Sequence, residues 1–473
     1  MEIISLKFAV LAIVVIFINY IIPPKLRVGY LLLLSCVFLT TFSIYLPVYL
    51  AVYAYLNFFL GQRMPASRHK KALFRTGIIL NLTQLILLRY ASFAIDPFLA
   101  LFNLNIRASV LSEIILPIGI SYYTLQGIGY LINIKMGWEK PENNFLRFFL
   151  FLIYFPKFLS GPIERSSHFL PQLTFDKRFS PDIVTDGLRI ALQGFFKKVV
   201  IANHLGSYVS QLFLHPDDFT GCQIIAIILL QPLYLYFDFS GYTDIAIGFS
   251  RALGIELLPN FNRPFLSENM TTFWRRFHIS LSSWFNDYIF KQTSFSLRRL
   301  KGKATIIAVF LTWILFGIWH GAGWNFIALG FLQAIAIYYE FKTKKFRNTI
   351  FSFIPGKARQ HAGRLCTYSF YALSLTFFFA PDLPQVLRVF SDIFSPLETE
   401  GQSLLNEPLI FGLTFAMMFL LYEIIQNDCG HLYSKICSIW ENNKAIRMII
   451  YYATIILILT QLDGSSSFIY EMF

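Results

Sequence analysis

A histidine lies inside a long apolar stretch of the chain. In the stretch 305–335, His320 is flanked by Trp319 and Gly321, and Trp324 follows shortly after. A neutral imidazole accepts a proton at pH 7, which is what activating a hydroxyl group requires. An ionisable side chain among apolar residues usually faces a cavity or a partner. We therefore predict that His320 is a catalytic residue supported by its three neighbours; the alternative is a core histidine hydrogen-bonded to a carbonyl.

A second histidine lies in a segment with one apolar and one polar face. Apolar side chains recur at helical spacing, at Phe273, Phe277, Leu281, Trp284 and Tyr288. Polar side chains occupy the opposite face, at Arg275, Arg276, Ser282, Ser283, Asn286 and Asp287. This pattern predicts an interfacial or buried amphipathic helix. His278 lies between the two faces, one turn from Trp274 and Ser282, and we predict a second site residue or a helper that orients a neighbour. We expect Trp274, Arg275, Arg276 and Ser282 to line or support the site.

Two aspartates interrupt the apolar and aromatic segment 231–265. Asp238 and Asp244 suit either a carboxylate pair for acid–base or metal chemistry, or ion pairing. No further His, Asp or Glu arrives at ligand spacing, so we predict no metal site. Because unpaired charge is not tolerated at membrane depth, we expect neutralisation by nearby arginines: Arg251, Arg263, Arg275 and Arg276. Residues 240–241, Ser-Gly, predict a broken helix.

The composition indicates which elements position these residues. Hydrophobic residues make up 56% of the 473-residue chain and charged residues 14%, whereas soluble domains carry about 25% charged residues. The net charge is +13. Membrane proteins hold Lys and Arg in cytoplasmic loops, which explains this excess better than nucleic-acid binding does. The composition therefore predicts a multi-pass membrane protein.

Apolar stretches extend along the whole chain. A spanning helix needs about 20 mostly apolar residues. Candidate spans are 5–22, 29–43, 45–61, 73–93, 109–132, 145–161, 184–203, 222–237, 305–319, 324–340, 366–380, 407–426 and 447–462. Several are short or contain proline, so we predict an all-α protein with about eleven spans and re-entrant or interfacial helices for the rest. Residues 390–406 are expected to form a soluble loop.

Several motifs, taken in order, resemble those of the membrane-bound O-acyltransferase family, and most closely its bacterial alginate O-acetyltransferase-like branch. They are SGPIER at 160–165, FDFSGYTDIAIGFSRALGI at 237–255, NFNRPFLSENMTTFWRRFHISLSSWFNDYIF at 260–290 and FGIWHGAGWNFIALG at 316–330. The stretch LPIGISYYTLQGIGYLINI at 116–134 also fits. The similarity covers roughly residues 115–340. We therefore expect one membrane-embedded domain, with N-terminal helices in 1–110, a catalytic core in 115–340 and C-terminal helices in 341–473.

The resemblance implies roles for both histidines. The family's invariant histidine corresponds to His320 in the Trp-His-Gly motif, and its second histidine to His278 in the Trp-Arg-Arg-x-His motif. It also implies tilted helices around a central tunnel, with no bound cofactor. The implied donor is an acyl thioester, expected to be acetyl-coenzyme A, and the implied acceptor is an extracytoplasmic polysaccharide. A bacterial inner-membrane location and an extracytoplasmic acyltransferase-type partner protein follow from the same resemblance.

Two departures from the family pattern bear on the acceptor. Asn133 stands where the family usually has an aspartate. Residues 290–294 read Phe-Lys-Gln-Thr-Ser, where the alginate branch commonly has Ile-Pro-Leu-Gly-Gly-Asn. Both departures leave the two histidines in place and weaken an assignment of alginate as acceptor.

Two other functions remain open from the sequence. A proton-coupled transporter also places His and Asp at membrane depth, but carriers often show two related halves, and the sequence shows no internal repeat. A non-catalytic scaffold for a secreted acyltransferase is the third possibility. Loss of acyl transfer on replacing His320 distinguishes the enzyme from both.

Overall fold

The computed structural model describes residues 6–101, 118–174, 179–394 and 406–462. Within these ranges the chain forms helices and turns and contains no strand, which confirms the predicted all-α class. Most of the predicted loop 390–406 and the beginning of the predicted span 109–132 lie outside the described residues.

The described residues of the N-terminal part form ten α-helices. They are α1 (Leu6–Ile21), α2 (Pro24–Thr40), α3 (Leu46–Arg63), α4 (Lys70–Arg89), α5 (Asp96–Leu101), α6 (Ile120–Met136), α7 (Phe145–Ile153), α8 (Phe155–Phe158), α9 (Ser166–Phe169) and α10 (Pro181–Phe195). A π-helical turn at Ala91–Ile95 joins α4 to α5, and another at Phe196–Ala202 follows α10.

The remaining α-helices contain both histidine motifs. They are α11 (Asn203–Leu214), α12 (Gly221–Ala252), α13 (Met270–Trp274), α14 (Ile279–Phe285), α15 (Lys291–Ser296), α16 (Gly302–His320), α17 (Trp324–Ile350), α18 (Gly356–Phe379), α19 (Leu383–Asp392), α20 (Glu407–Asp428), α21 (Gly430–Asn442) and α22 (Lys444–Gln461). A π-helical turn at Asn286–Phe290 joins α14 to α15.

Among the described residues, five helices are long and apolar enough to cross a membrane. They are α4, α12, α16, α20 and α22, and together with the all-α class they support a multi-pass membrane protein. The total of about eleven spans and the central tunnel stay predictions. Helix α12 is the most enclosed of the five, with 72% of its apolar window buried against 6% in α22. A helix that is apolar on all sides is expected in an interior.

Helix α12 corrects the predicted break at residues 240–241. The helix is continuous from Gly221 to Ala252, with Pro232 inside it. The glycine at 241 serves close packing instead: a β-carbon there would lie 2.9 Å from the carbonyl oxygen of Gly194 and 2.9 Å from the amide nitrogen of Lys198. A small residue therefore lets two helices approach closely.

Contacts divide the chain into two compact units. The first comprises residues 1–191 and 243–259, and the second comprises 192–242 and 260–473. Helix α12 contributes to both. The predicted subdivision at 110–115 and 340–341 stays a prediction.

The first unit is held together by buried amides between apolar helices. Asn81 on α4 donates from Nδ2 to Asn57 Oδ1 on α3 at 2.8 Å. Gln84 on α4 donates from Nε2 to Thr124 Oγ1 on α6 at 2.9 Å. Polar side chains of this kind join membrane helices, because lipid offers no competing partner.

Candidate active site

His320 is the last residue of α16, and the chain turns back immediately into α17. The connecting residues are extended, since Gly321 has φ −171° and Gly323 has φ −165°. Any residue can adopt this backbone, so the glycines are needed for space. A β-carbon on Gly321 would lie 2.1 Å from Cε2 of Phe326, and one on Gly323 would lie 2.3 Å from Oδ1 of Asn325.

Two further glycines bring α16 and α17 into backbone contact. A β-carbon on Gly317 would lie 2.2 Å from the carbonyl oxygen of Phe326, and one on Gly330 would lie 2.3 Å from that of Trp313. Small residues permit this approach, as in other membrane helix pairs. The two helices therefore form a tight hairpin that fixes the position of His320 at its turn.

Aromatic rings surround the imidazole of His320. The ring is 8% exposed. Its centroid lies 5.0 Å from those of Phe316 and Trp319 and 5.4 Å from that of Phe378, each in an edge-to-face arrangement. Edge-to-face packing of this kind holds a ring in a defined orientation. His320 is thus a closely packed, largely buried imidazole.

The segment around His278 is not the single helix that its periodicity predicts. Helix α13 ends at Trp274 and α14 begins at Ile279, and His278 between them has φ 47° and ψ 52°. This left-handed conformation is uncommon for residues other than glycine, and such outliers concentrate at functional sites. The predicted one-turn spacing of His278 from Trp274 is therefore wrong, because the helix breaks between them. The predicted spacing from Ser282 is confirmed, since the backbone N–H of Ser282 donates to the carbonyl oxygen of His278 at 2.9 Å.

Hydrogen bonds from other segments hold this break in place. Glu340 on α17 accepts from the backbone N–H of Met270 at 2.5 Å and from that of Thr271 at 3.0 Å. Gln333, also on α17, accepts from the indole N–H of Trp274 at 3.1 Å. Helix α17, which follows His320, is thereby hydrogen-bonded to α13, the helix that precedes His278.

Both histidines line one cavity in the second unit. Its wall includes His278, His320, Trp274, Phe277, Gln333 and Tyr371. Trp319 contacts both imidazoles, with centroid distances of 5.8 Å to His278 and 5.0 Å to His320. The two motifs, which are separated in the sequence by α14, α15 and α16, therefore converge on one place.

The other predicted site residues lie outside this cavity wall. Trp324 is 67% exposed, and Arg275 is also exposed. Ser282 donates from Oγ to the carbonyl oxygen of Phe277 at 3.2 Å. Gly321 is buried at the hairpin turn, and Arg276 accepts a backbone hydrogen bond from Asn262 at 2.9 Å. These residues belong to the segments that contain the two histidines, but they do not line the cavity.

The two aspartates on α12 have separate surroundings. Asp238 forms an ion pair with Nζ of Lys198, and both side chains are fully buried. Asp244 lies in the part of α12 that belongs to the first unit. Of the four arginines expected as partners, Arg251 pairs with Asp186 at 3.3 Å. In the described part of the chain, no group of three His, Cys, Asp or Glu side chains is placed to hold a metal ion.

Sequence reasoning missed three residues of this region. Lys197 and Lys198 together interrupt an apolar run, and the burial of Lys198 is recognisable only when its partner is known. Gln333 is the one polar residue in the apolar stretch 326–337 of its helix, which is itself a signal for an internal hydrogen bond. Asn260 lies in the motif at 260–290 but was not predicted as a site residue, although its side-chain amide contacts the ring of His278.

Comparison with known proteins connects this geometry to a family. The sequence model of MBOAT, the membrane-bound O-acyltransferase family, matches residues 142–361, a range that includes both histidines. The chain is 34% identical over 319 residues to the probable alginate O-acetylase AlgI of Azotobacter vinelandii, covering 66% of this chain and 62% of that protein. It thus spans about three fifths of the length of that relative.

Two further relatives carry different names. The chain is 31% identical over 402 residues to the peptidoglycan O-acetyltransferase of Helicobacter pylori, covering 77% of this chain and 73% of that protein. It is 32% identical over 244 residues to the teichoic acid D-alanyltransferase of Bacillus subtilis, covering 49% of this chain and 61% of that protein.

Proposed function

The chain belongs to the membrane-bound O-acyltransferase family, and from this membership we infer that it transfers an acyl group from a thioester to the hydroxyl of an extracytoplasmic polysaccharide. The observation that carries the proposal is the convergence of His278 and His320 on one cavity, with Trp319 in contact with both rings. Two bases beside one enclosed space suit proton transfer during acyl transfer.

The reaction assigns His320 the role of general base. The hydroxyl oxygen attacks the carbonyl carbon of the thioester while its proton passes to a ring nitrogen of His320. The tetrahedral intermediate collapses as the carbon–sulfur bond breaks, and His320 returns the proton to the departing thiolate. The products are an ester and a free thiol. General-base help of this kind contributes roughly 10²–10⁴ in rate, and positioning of the two substrates supplies more.

The cavity wall favours an uncharged acyl group. Among the described residues that line it there is no carboxylate, so an aminoacyl group would bring its ammonium into apolar surroundings without a counter-ion. An acetyl group has no such charge. Acetyl-coenzyme A is therefore the donor that we propose, even though one relative is named a D-alanyltransferase.

The location of the substrates explains why the site lies inside a membrane protein. A charged donor such as coenzyme A stays in the cytoplasm, whereas the polysaccharide hydroxyl lies outside. A tunnel that reaches His320 lets the acyl group cross the membrane without the rest of the donor. We propose a location in the bacterial inner membrane and an extracytoplasmic acyltransferase-type partner that completes transfer to the polymer.

The proposal is tested with the chain in native membrane vesicles, with radiolabelled acetyl-coenzyme A on the cytoplasmic side and soluble peptidoglycan fragments on the other. An enzyme produces ester-linked acetate on the glycan and free coenzyme A. A transporter delivers its substrate unmodified, with no ester formed. A scaffold is tested in cells: it would leave surface glycans acetylated when His320 and His278 are both replaced by alanine, and that outcome would overturn the proposal.

A further inference from the structure

We propose that Asn260 is a positioning residue that holds His278 in one tautomer, with the proton on Nδ1 and the lone pair of Nε2 available to the cavity. There Nε2 accepts a hydrogen bond from the hydroxyl group of the acceptor. The inference rests on the proposed function, since it assigns a role at the same site. It gives His278 a role in binding, beside the proton transfer assigned to His320.

The orientation of the Asn260 amide follows from its partners. Oδ1 of Asn260 accepts from the backbone N–H of Ser280 at 3.1 Å and from the hydroxyl of the same serine at 2.9 Å. A backbone N–H can only donate, so the amide atom that faces it is the oxygen. This removes the usual ambiguity between the oxygen and the nitrogen of an asparagine side chain.

The tautomer of His278 follows from that orientation. Nδ1 of His278 lies 3.2 Å from the same oxygen. Because this oxygen is an acceptor, Nδ1 must carry a hydrogen. A neutral imidazole has one donor and one acceptor nitrogen, so Nε2 is then the acceptor.

The backbone of the same loop fixes the direction in which the ring points. The N–H of Ile279 donates to the carbonyl oxygen of Asn260 at 2.9 Å, and the N–H of Asn262 donates to that of Arg276 at 2.9 Å. Residues 260–262 thereby hold the chain on both sides of His278 and keep it in its left-handed conformation. Strain of this kind persists only where the surroundings impose it.

The second nitrogen of His278 is an unused acceptor on a residue that lines the cavity. The residue is 1% exposed, and Nε2 has no hydrogen-bond partner among the described residues. Phe239 and Trp319 contact the ring edge-to-face, and neither aromatic face competes with a hydroxyl for the lone pair. A hydroxyl is the group that satisfies a lone acceptor, and a polysaccharide offers it.

The experiment compares Asn260→Ala with Asn260→Asp and with the control Asn262→Ala. Asn262 is exposed, and its backbone hydrogen bond survives the change. Asn260→Ala is expected to lower acetyl transfer by roughly 10–100-fold, the usual effect of losing a residue that orients a histidine. Asn260→Asp keeps the acceptor oxygen, so it retains most of the activity. Its carboxylate favours the imidazolium form, and the acidic limb of the pH–rate profile moves to higher pH.

A direct readout of the tautomer is 15N NMR of histidine-labelled protein. The wild-type chain and Asn262→Ala are expected to show His278 with its proton on Nδ1, and Asn260→Ala is expected to show a mixture or the other tautomer. An Asn260→Ala variant with unchanged tautomer and unchanged transfer would overturn the inference. If Asn260→Ala does not fold, an unshifted pH profile in Asn260→Asp overturns it. A wild-type chain without transfer refutes the proposed function instead, and the NMR result then still decides the tautomer.

Discussion

The indole N–H of Trp274 donates to Oε1 of Gln333 at 3.1 Å, and both side chains are buried. Trp274 belongs to the segment that leads to His278, and Gln333 belongs to the helix that follows His320. This single hydrogen bond therefore ties the two histidine motifs together. Gln333 also donates from Nε2 to Ser374 Oγ at 3.0 Å, so its amide is used from both ends.

Replacing Gln333 by leucine is expected to destabilise the site. The variant leaves the buried indole N–H without its acceptor, which costs about 1–3 kcal/mol, and it releases the segment before His278. Thermal unfolding in detergent and acetyl transfer should both decline. Asn348→Leu on the same helix is exposed and serves as the control. Equal stability of the two variants would contradict the assigned role.

The α16–α17 hairpin predicts a strong effect at Gly317. An added β-carbon meets the carbonyl oxygen of Phe326 at 2.2 Å, and this backbone atom cannot move aside cheaply. Gly317→Ala should separate the helices, displace His320 and lower transfer at least tenfold. Gly302→Ala on the same helix has nothing within 4 Å, so its activity should match the wild type. Full activity in Gly317→Ala would show that the hairpin does not position His320.

The buried pair of Lys198 and Asp238 predicts non-additive changes in stability. Removing one residue leaves the other charge buried without its ion-pair partner, at a cost of about 3–5 kcal/mol. Lys198→Met and Asp238→Leu should each be strongly destabilised, and the double variant should recover much of the loss. The exposed pair of Lys291 and Asp287 is the control, because Lys291→Met should change stability by only about 0.5 kcal/mol or less. Additive effects at the buried pair would contradict the prediction.

The hydrogen bond between His168 and Glu164 should make the stability of the folded chain depend on pH. Its hydrogen bond to Glu164, with Nδ1 2.8 Å from Oε2, raises the pKa of its imidazole above the usual 6.5. The stabilising contribution is therefore fully present below pH 6.5, the unfolded value, and is lost as the pH rises through the folded pKa. The melting temperature of the wild-type chain should fall across this window, and that of His168→Gln should not. The control is His215→Gln at an exposed position, and its melting temperature should fall with pH as in the wild type. If the melting temperature of His168→Gln falls by the same amount, His168 is not the group responsible.

Periodicity identified the helices but not the site that they form. The apolar runs on either side of His320 correspond to α16 and α17. Segments buried in lipid or protein must be apolar and must satisfy their backbone hydrogen bonds internally, so an apolar run predicts a helix. The break at His278 was not predicted, because local periodicity favours a helix there and the hydrogen bonds that Asn260 accepts from Ile279 and Ser280 override it. Such tertiary override is expected at functional and strained positions.

The contacts of Asp238 and Gly241 could not be predicted from the sequence around each residue. Asp238 was expected to pair with a neighbouring arginine, but Lys198 is its ion-pair partner, and no spacing rule links the two. Gly241 was interpreted as a helix break, whereas it permits close contact with Gly194. In both cases the residue was correctly singled out as unusual, but the partner that explains it lies in a distant segment of the sequence.

The most direct test of the proposed reaction is acetyl transfer by His320→Ala in native membranes. The variant should fold and insert like the wild type and lose at least about 10²-fold in transfer, the contribution of a general base. His431→Ala, an exposed histidine on α21, should retain wild-type transfer. If folded His320→Ala forms ester-linked acetate at the wild-type rate, His320 is not the general base and the proposed reaction is wrong.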